Sequence, residues 1–289
     1  MPERQSSALI ETPLVQVYDV VCRAPRSGYG PVELGSTAQI ILPRRGVFVI
    51  ERRGEPHVVD TSAALVVGAE EEYRVSHPGI NGDDCTVIVL PLQILEEVVG
   101  GCDGRSGSLR SRDHLAVCFV TRALRDSGAD QLEAEEATLL LLAMLPGAFA
   151  NSGWGDGEHL GRTQRIRVEQ VRALLASSPA TRWNLQAVAR AVHCSPFHLA
   201  RQFRADSGET IARYLLRLRV SAAVERLANG ERDLAALALE TGFAHHSHFS
   251  ARFRSVFGMT PTAARETLTK HRLDDLRTII AGAARSARS

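Results

Sequence analysis

The sequence predicts an α+β chain: an antiparallel β-barrel followed by two helices over residues 1–150, then an all-α half in which one helical unit occurs twice. Three observations carry that expectation. Short runs rich in β-branched and aromatic residues recur as far as residue 90, divided by Gly, Pro, Asn and Asp. Beyond residue 163 the apolar residues recur only at helical spacing. Between the halves, Asn151-Ser-Gly-Trp-Gly-Asp-Gly-Glu holds three glycines in eight residues without apolar periodicity, as a flexible linker does.

The strand candidates are Leu14 to Val21, Val47 to Glu51, His57 to Val59, Leu65 to Val67, Tyr73 to Val75 and Thr86 to Leu90, with Arg53-Gly54 placed as a tight hairpin turn. Helices are expected over Asp113–Asp126 and Gln131–Leu145, the second apolar at Leu139, Leu140, Leu142, Ala143 and Leu145. That stripe suits a dimer seam or a helix packed on its own barrel. A linker over 151–163, a helical domain over 164–270 and a C-terminal tail segment over 271–289 complete the division, with every element after the linker reading as helical until a polar end near Ser286.

Composition narrows the function. The chain of 289 residues is 44% hydrophobic and 23% charged, an ordinary globular balance, and its longest apolar stretch is far shorter than the roughly 20 residues a bilayer requires. No export signal opens the sequence, so a cytoplasmic protein without membrane contact is expected. Five cysteines without a Cys-x-x-Cys pair argue against a disulfide framework or a zinc ribbon. The net charge of +1 conceals a division: residues 1–161 carry 13 Arg and no Lys against 23 acids, a balance of −10, whereas 162–270 carry 17 basic against 8 acidic residues, a balance of +9. A basic half of this kind points to a polyanionic partner.

The repeat lies in that basic half. Laid over Phe249–Thr260 at an offset of fifty, Leu199–Thr210 is identical at Phe203/Phe253, Arg204/Arg254, Gly208/Gly258 and Thr210/Thr260; upstream the offset is 49. In the first copy Asn184 is an N-cap, Leu185, Val188, Ala189 and Val192 form an inward stripe, and Ser195-Pro196 restarts the chain as a second helix with Leu199 and Phe203 inward and Gly208 at its end. In the second, Asp233 caps, Gly242 turns, Phe249 and Phe253 pack, and Gly258 stops; His193 stands where this copy has Gly242. Each copy is a helix-turn-helix.

Between them Thr210 to Asn229 reads as one helix of roughly 30 Å, close to the roughly 34 Å between successive major-groove faces on one side of duplex DNA. One chain can then seat both second helices in adjacent groove segments. The outward face of the first copy presents Phe197, His198, Arg201 and Arg204; Arg201 is placed to bond guanine O6 and N7, and Phe197 to meet a thymine methyl. The second presents His246, Ser247, His248, Arg252 and Arg254, while Arg204, Arg254 and Arg182 suit phosphates. Plainer roles compete: packing for Phe197, a structural imidazole for His248, a solvated charge for any one arginine. His245-His246-x-His248 lacks further ligands at suitable spacing, so no metal is expected there.

These residues resemble the DNA-binding region of AraC/XylS-type transcriptional regulators. The resemblance spans about 165–265 and rests on Gly242-Phe243, Phe249-Ser250, Phe253-Arg254, Phe257-Gly258 and Thr260-Pro261, supported by Ser195-Pro196-x-His198-Leu199-x-Arg201-x-Phe203. It implies two helix-turn-helix units on double-stranded promoter DNA, usually activating transcription through RNA polymerase. Ala251 and Ala264 depart from the pattern, where arginine and an aromatic are common.

The N-terminal half is similar to cupin-like effector-sensing and dimerisation domains of such regulators, through its strand spacing and Glu72-Tyr73-Arg74-Val75-Ser76-His77-Pro78-Gly79 before Asp83-Asp84-Cys85. The resemblance implies a homodimer and a small-molecule effector inside the barrel, with His57, Tyr73 and His77 as candidate lining. Metal-binding cupins pair two histidines one residue apart; His57 and His77 are isolated, so no metal or other cofactor and no catalytic residue is expected. A cupin metalloenzyme with a helical appendage is the alternative, and thiol oxidation at Cys85, Cys102 or Cys118 a rival sensing chemistry.

Overall fold

The computed structural model describes residues 4–100, 106–126, 130–150, 161–270 and 273–286. Nine strands come first: β1 (Arg4–Glu11), β2 (Gln16–Cys22), β3 (Glu33–Leu34), β4 (Gln39–Arg52), β5 (Glu55–Asp60), β6 (Ala63–Val67), β7 (Glu72–Ser76), β8 (Asp83–Val89) and, after helix α1 (Leu92–Val99), β9 (Ser106–Ser108). Helices follow: α2 (Ser111–Arg125), α3 (Gln131–Leu142), α4 (Leu145–Ala150), α5 (Arg162–Ser177), α6 (Leu185–Ala191), α7 (Pro196–Ser207), α8 (Ile211–Ala228), α9 (Leu234–Glu240), α10 (His246–Phe257), α11 (Pro261–Lys270) and α12 (Leu273–Ser286). The fold is α+β, with an antiparallel N-terminal sheet and a helical C-terminal half.

The strands run β1-β2-β8-β4-β6-β9, with β5 and β7 pairing the far end of β4 and β3 pairing β7. β4 serves two layers because it turns at Gly46, whose φ of +80° and whose 2.2 Å gap between a built Cβ and the Gly82 carbonyl oxygen exclude any other residue. Its first part pairs β8 and β6, and Val47–Arg52 pairs β5 and β7. Arg53 and Gly54 both have positive φ, giving the two-residue hairpin turn that the dipeptide suggests. Ile40, Leu42, Val66 and Ile88 share one buried core with α2, whereas Val20, Phe48, Ile50, Val59, Leu65 and Val87 fill the second, interior layer.

β1, β3, β9, α1 and the first half of β4 escape the sequence reading. In β4 the cause is Pro43-Arg44-Arg45, which reads as a break; it is a register shift in the ladder, with Arg44 fully buried. The helix expected over Gln131–Leu145 divides into α3 and α4. Its inward face is Ala134, Ala137, Thr138, Leu141 and Leu142, while Leu139 is 41% exposed and Ala143 is also turned out. In the first helical repeat Leu185 is exposed, since it follows the Asn184 cap at the open end of α6, so the inward stripe there is Val188, Ala189 and Val192.

The segment after 270, set apart as a C-terminal tail, is helical as far as Ser286, as its pattern suggests: it forms α12, whose Leu276 and Ile279 are buried against α2 and α3 while Arg277 meets Glu136. Most of the expected linker, 151–160, lies outside the described residues, as does Cys102. Among the described residues no helix is long and apolar enough to cross a membrane.

The two halves share their interior. α8 packs on α2 and β4, and its Val220, Ala223, Val224 and Leu227 belong to the same buried core as Leu115, Phe119 and Ile88. α5 packs on β4 and β5, with Val168 and Val171 against Val47, Val49 and Val58.

Candidate nucleic-acid interface

Each helical repeat is built from local rules. Asn184 Oδ1 accepts the Ala187 N–H at 2.8 Å, and Ser195 Oγ accepts the His198 N–H at 3.3 Å with Pro196 in the first turn, so α6 and α7 are both capped at their starts. Asp233 caps α9 through the N–H groups of Ala235 and Ala236; α10 is capped by an imidazole, His245 Nδ1 accepting from the His248 N–H at 3.2 Å. α7 and α10 end at Gly208 and Gly258 in the left-handed conformation. The turn between α6 and α7 places His193 at φ +49°, and Gly242 takes the equivalent place at +88°. Only glycine fits the second copy, where a Cβ would stand 2.8 Å from Ala180 Cα.

Fully buried rings set which face of each second helix remains outside. Leu199 and Phe203 pack inward, with Phe203 5.5 Å from the Tyr214 ring. In the second copy Phe243, Phe249, Phe253 and Phe257 form a continuous stack with centroid spacings of 4.5–5.6 Å.

The opposite face of α7 carries Phe197, Arg201 and Arg204, all exposed; Phe197 is 79% exposed, which removes it from packing. His198 is half-buried, its Nε2 2.8 Å from Gln202 Nε2, while Arg167 donates to Gln202 Oε1. It is therefore a neighbour of that face rather than part of it. On α10, His246 and Ser247 are exposed and His246 Nε2 lies 3.3 Å from Ser250 Oγ. His248 is half-buried edge-on to Phe243 and accepts from Arg252 Nε at 3.4 Å, a structural position. Arg252 and Arg254 are exposed, and Ala251 leaves the centre of this face without a guanidinium. The three ring nitrogens of the His245-His246-x-His248 run thus serve three different neighbours.

Ion pairing decides which arginines stay available, and sequence reading misses this. Arg172 is within reach of Glu169 and Asp206, Arg217 pairs with Glu209, and Arg226 with Glu231 and Glu240; Arg219 donates to the carbonyls of Pro179 and Thr181. These pairs consume most acids of the basic half. Among the described residues Arg182, Arg190, Arg201, Arg204 and Arg254 have no acidic partner, and all are exposed. α8 is one unbroken helix of 18 residues, about 27 Å at 1.5 Å per residue, buried on most of its circumference.

Two buried polar networks bind α8 and α5 to the β layers. Arg44 donates to Asp19 Oδ1 (2.6 Å), Thr86 Oγ1 (2.7 Å) and Glu225 Oε1 (3.4 Å), and Arg125 bridges the same Asp19 to Asn229. Burial weakens the Arg44 charge, but Glu225 and Asp19 outweigh it and hold the guanidinium ionised. In the second network the Tyr214 hydroxyl donates to Asp60, and Glu169 accepts the Val58 N–H at 2.6 Å. Burial pushes the Glu169 carboxyl up to about 7, against the pull of Arg172 and that N–H.

The candidate effector residues divide among different neighbours. His57 is half-buried on β5 opposite Ile50, and burial, then Arg52, hold its pKa below the ordinary value. Tyr73 on β7 donates to Glu33 at 3.4 Å, its pKa raised by burial and then by that carboxylate. His77 is buried with Cys22 and Asp83. Cys85 and Cys118 are buried thiols whose pKa values burial drives well above the ordinary range, in Cys85 with help from Asp83.

Residues 188–267 match the helix-turn-helix domain family. Over 165 residues the chain is 27% identical to the transcriptional activator RhaR of Pectobacterium atrosepticum, covering 57% of this chain and 56% of that one. A candidate AraC-like transcription regulator of Streptomyces lividans is 33% identical over 149 residues, 52% of this chain and 42% of its own. The chain spans about half the length of the curated relatives it matches. Among solved structures, ToxT from Vibrio cholerae O395 is 13% identical with a TM-score of 0.36, over 88% of this chain and 97% of that one. The DNA-binding domain of AdpA in complex with a target DNA is 22% identical with a TM-score of 0.35, over 37% and 96%.

Proposed function

We propose that this chain, which carries an AraC-type helix-turn-helix domain within residues 188–267, binds double-stranded promoter DNA in a sequence-specific way and regulates transcription. The observation that carries this reading is the outer face of α7: an exposed aromatic ring, Phe197, beside the unpaired Arg201 and Arg204, on a helix anchored by Leu199 and Phe203. Arg201 reads a guanine edge, Phe197 meets a thymine methyl, and Arg204, Arg254 and Arg182 hold phosphates. His246 and Ser247 supply the groove contacts of the second unit, with Arg252 at their flank and His198 and His248 behind, each shaping the face it adjoins.

The β module is the sensor, and a small molecule in its interior layer is the signal. β4 supports this because it carries Phe48 and Ile50 on the interior and Arg44 against Glu225 of α8, so a shift of that strand is felt by the helix joining the two DNA-reading units. Exposed Leu132 (68%) and Leu139 (41%) lie seven residues apart on α3 and offer a seam for a homodimer, and activation proceeds by contact with RNA polymerase. The test is a gel-shift titration of the full chain on its own upstream promoter against salt: affinity falls log-linearly with salt and survives competitor DNA, and loss of all binding to competitor refutes sequence-specific recognition.

A further inference from the structure

One buried cluster has no part in DNA recognition. Cys22 ends β2 directly across the ladder from Asp83, the first residue of β8, and His77 is held beside them by the backbone bridge between Ser27 and His77. All three side chains are buried, and their donor atoms lie within 4.8 Å of one another. His77 Nε2 is 3.5 Å from Cys22 Sγ and 3.2 Å from Asp83 Oδ1.

Those lengths carry chemical information. A tetrahedral zinc ion holds thiolate sulfur at about 2.3 Å and nitrogen or oxygen at about 2.0–2.1 Å, which sets sulfur and nitrogen roughly 3.5 Å apart and nitrogen and oxygen roughly 3.3 Å apart. A single ring nitrogen has one lone pair or one hydrogen and cannot satisfy both neighbours. Asp83 Oδ1, although close to the ring, accepts no hydrogen bond, an unsatisfied buried carboxylate oxygen that a cation would satisfy. The adjacent Asp84, and not Asp83, takes the direct ion pairs of Arg23 and Arg45. Cys85 Sγ donates to Asp83 Oδ2 at 3.3 Å and fixes the carboxylate plane, as an outer-shell residue does.

We propose that Cys22, His77 and Asp83 form a three-residue site for a borderline transition-metal ion, Zn²⁺ foremost, with a fourth position open to water or to an exogenous donor. It replaces the paired-histidine pattern with a thiolate–imidazole–carboxylate set, and it stands whether or not the chain binds DNA. Binding displaces the Cys22 proton and so weakens as pH falls.

The test uses the full chain, stripped with chelator and titrated with Co²⁺ as a spectroscopic probe. One equivalent of Co²⁺ is expected to give the thiolate-to-cobalt charge-transfer band and tetrahedral visible bands, both removed by one equivalent of Zn²⁺. Cys22→Ser abolishes the charge-transfer band; Asp83→Asn, nearly the same shape, weakens binding by about a hundredfold; Cys85→Ala, which removes the donor to Asp83 Oδ2, weakens it by about tenfold at unchanged stoichiometry. Cys194→Ser, a half-buried cysteine remote in sequence, changes nothing. Because a buried substitution can impair folding, Zn²⁺ should also raise the melting temperature of the unmodified chain and chelator lower it. A folded chain without the band at one equivalent, a band that persists in Cys22→Ser, or a Zn²⁺-induced melting shift equal in the unmodified chain and Cys22→Ser would overturn the site. Failure to bind DNA with an intact cobalt spectrum would count against the regulator reading alone.

Discussion

Arg44→Met tests how tightly the β module holds the helix between the two helix-turn-helix units. Arg44 is fully buried and donates to Asp19, Thr86 and Glu225. After truncation Asp19 keeps Arg125 at 2.8–2.9 Å and Thr86 keeps Thr121, whereas Glu225, 3% exposed, keeps only uncharged neighbours, the Asn229 amide at 3.4 Å and the Cys118 thiol. The loss is therefore concentrated on one buried carboxylate on α8. Removing one partner of a buried pair costs about 3–5 kcal/mol. Glu225→Gln alone leaves Arg44 with Asp19 and should cost about 1 kcal/mol. With the charge gone from both sides, Arg44→Met with Glu225→Gln should be less destabilised than Arg44→Met alone, with a coupling energy of about 2–3 kcal/mol. Urea unfolding followed by fluorescence and circular dichroism provides the cycle, and coincident transitions license the two-state analysis. A cost below about 1 kcal/mol for Arg44→Met, or additivity of the two changes, would show that the pair does not join the halves.

Arg201→Ala should lose roughly 1–3 kcal/mol of DNA affinity and relax preference at one base position; competition binding across single-base variants checks it, and uniform weakening reassigns Arg201 to phosphate. Glu169 should make stability fall as pH rises. Below its ordinary value of 4.5 the carboxyl is protonated in folded and unfolded chains alike; between 4.5 and about 7 only the unfolded chain releases the proton, so the folded state loses up to about 3 kcal/mol, fully developed above pH 7. Glu169→Gln retains an acceptor for the Val58 N–H and should flatten that slope, and an unchanged slope in urea titrations from pH 5 to 8 would exclude Glu169 as its source. A fragment beginning at residue 161 should fold and keep its half-site preference but melt lower than the full chain and bind more of a hydrophobic dye, because Val220, Ala223, Val224 and Leu227 lose α2. Equal melting temperatures would show that the shared core contributes nothing.

The internal duplication was legible from sequence because its determinants are local. Asn184, Ser195 and Asp233 cap, Gly208 and Gly258 stop, and Leu199, Phe203, Phe249 and Phe253 recur four apart, so helical spacing alone places Phe197 and Arg201 outside. His248 was legible both as a groove residue and as a structural imidazole; its place against Phe243, which decides between them, depends on how α9 and α10 pack. The hairpin at Arg53-Gly54 was likewise local, whereas the strand through Pro43-Arg44-Arg45 was not, since a buried arginine in a ladder makes sense only once Asp19, Thr86 and Glu225 surround it.

By itself the sequence determined the α+β division, the two helix-turn-helix units, the length of the helix between them and the accumulation of basic charge in one half, all properties of neighbouring residues and of sums along the chain. Only the tertiary structure decided which arginines remain free, that α8 is buried between the halves, that residues 273–286 pack on α2, and that Cys22, His77 and Asp83 meet. These follow from strand register and from packing between elements distant in sequence, where no periodicity records the partner: Cys22 faces Asp83 because β2 pairs β8 in one register, and a slip of one residue would turn the two side chains to opposite faces.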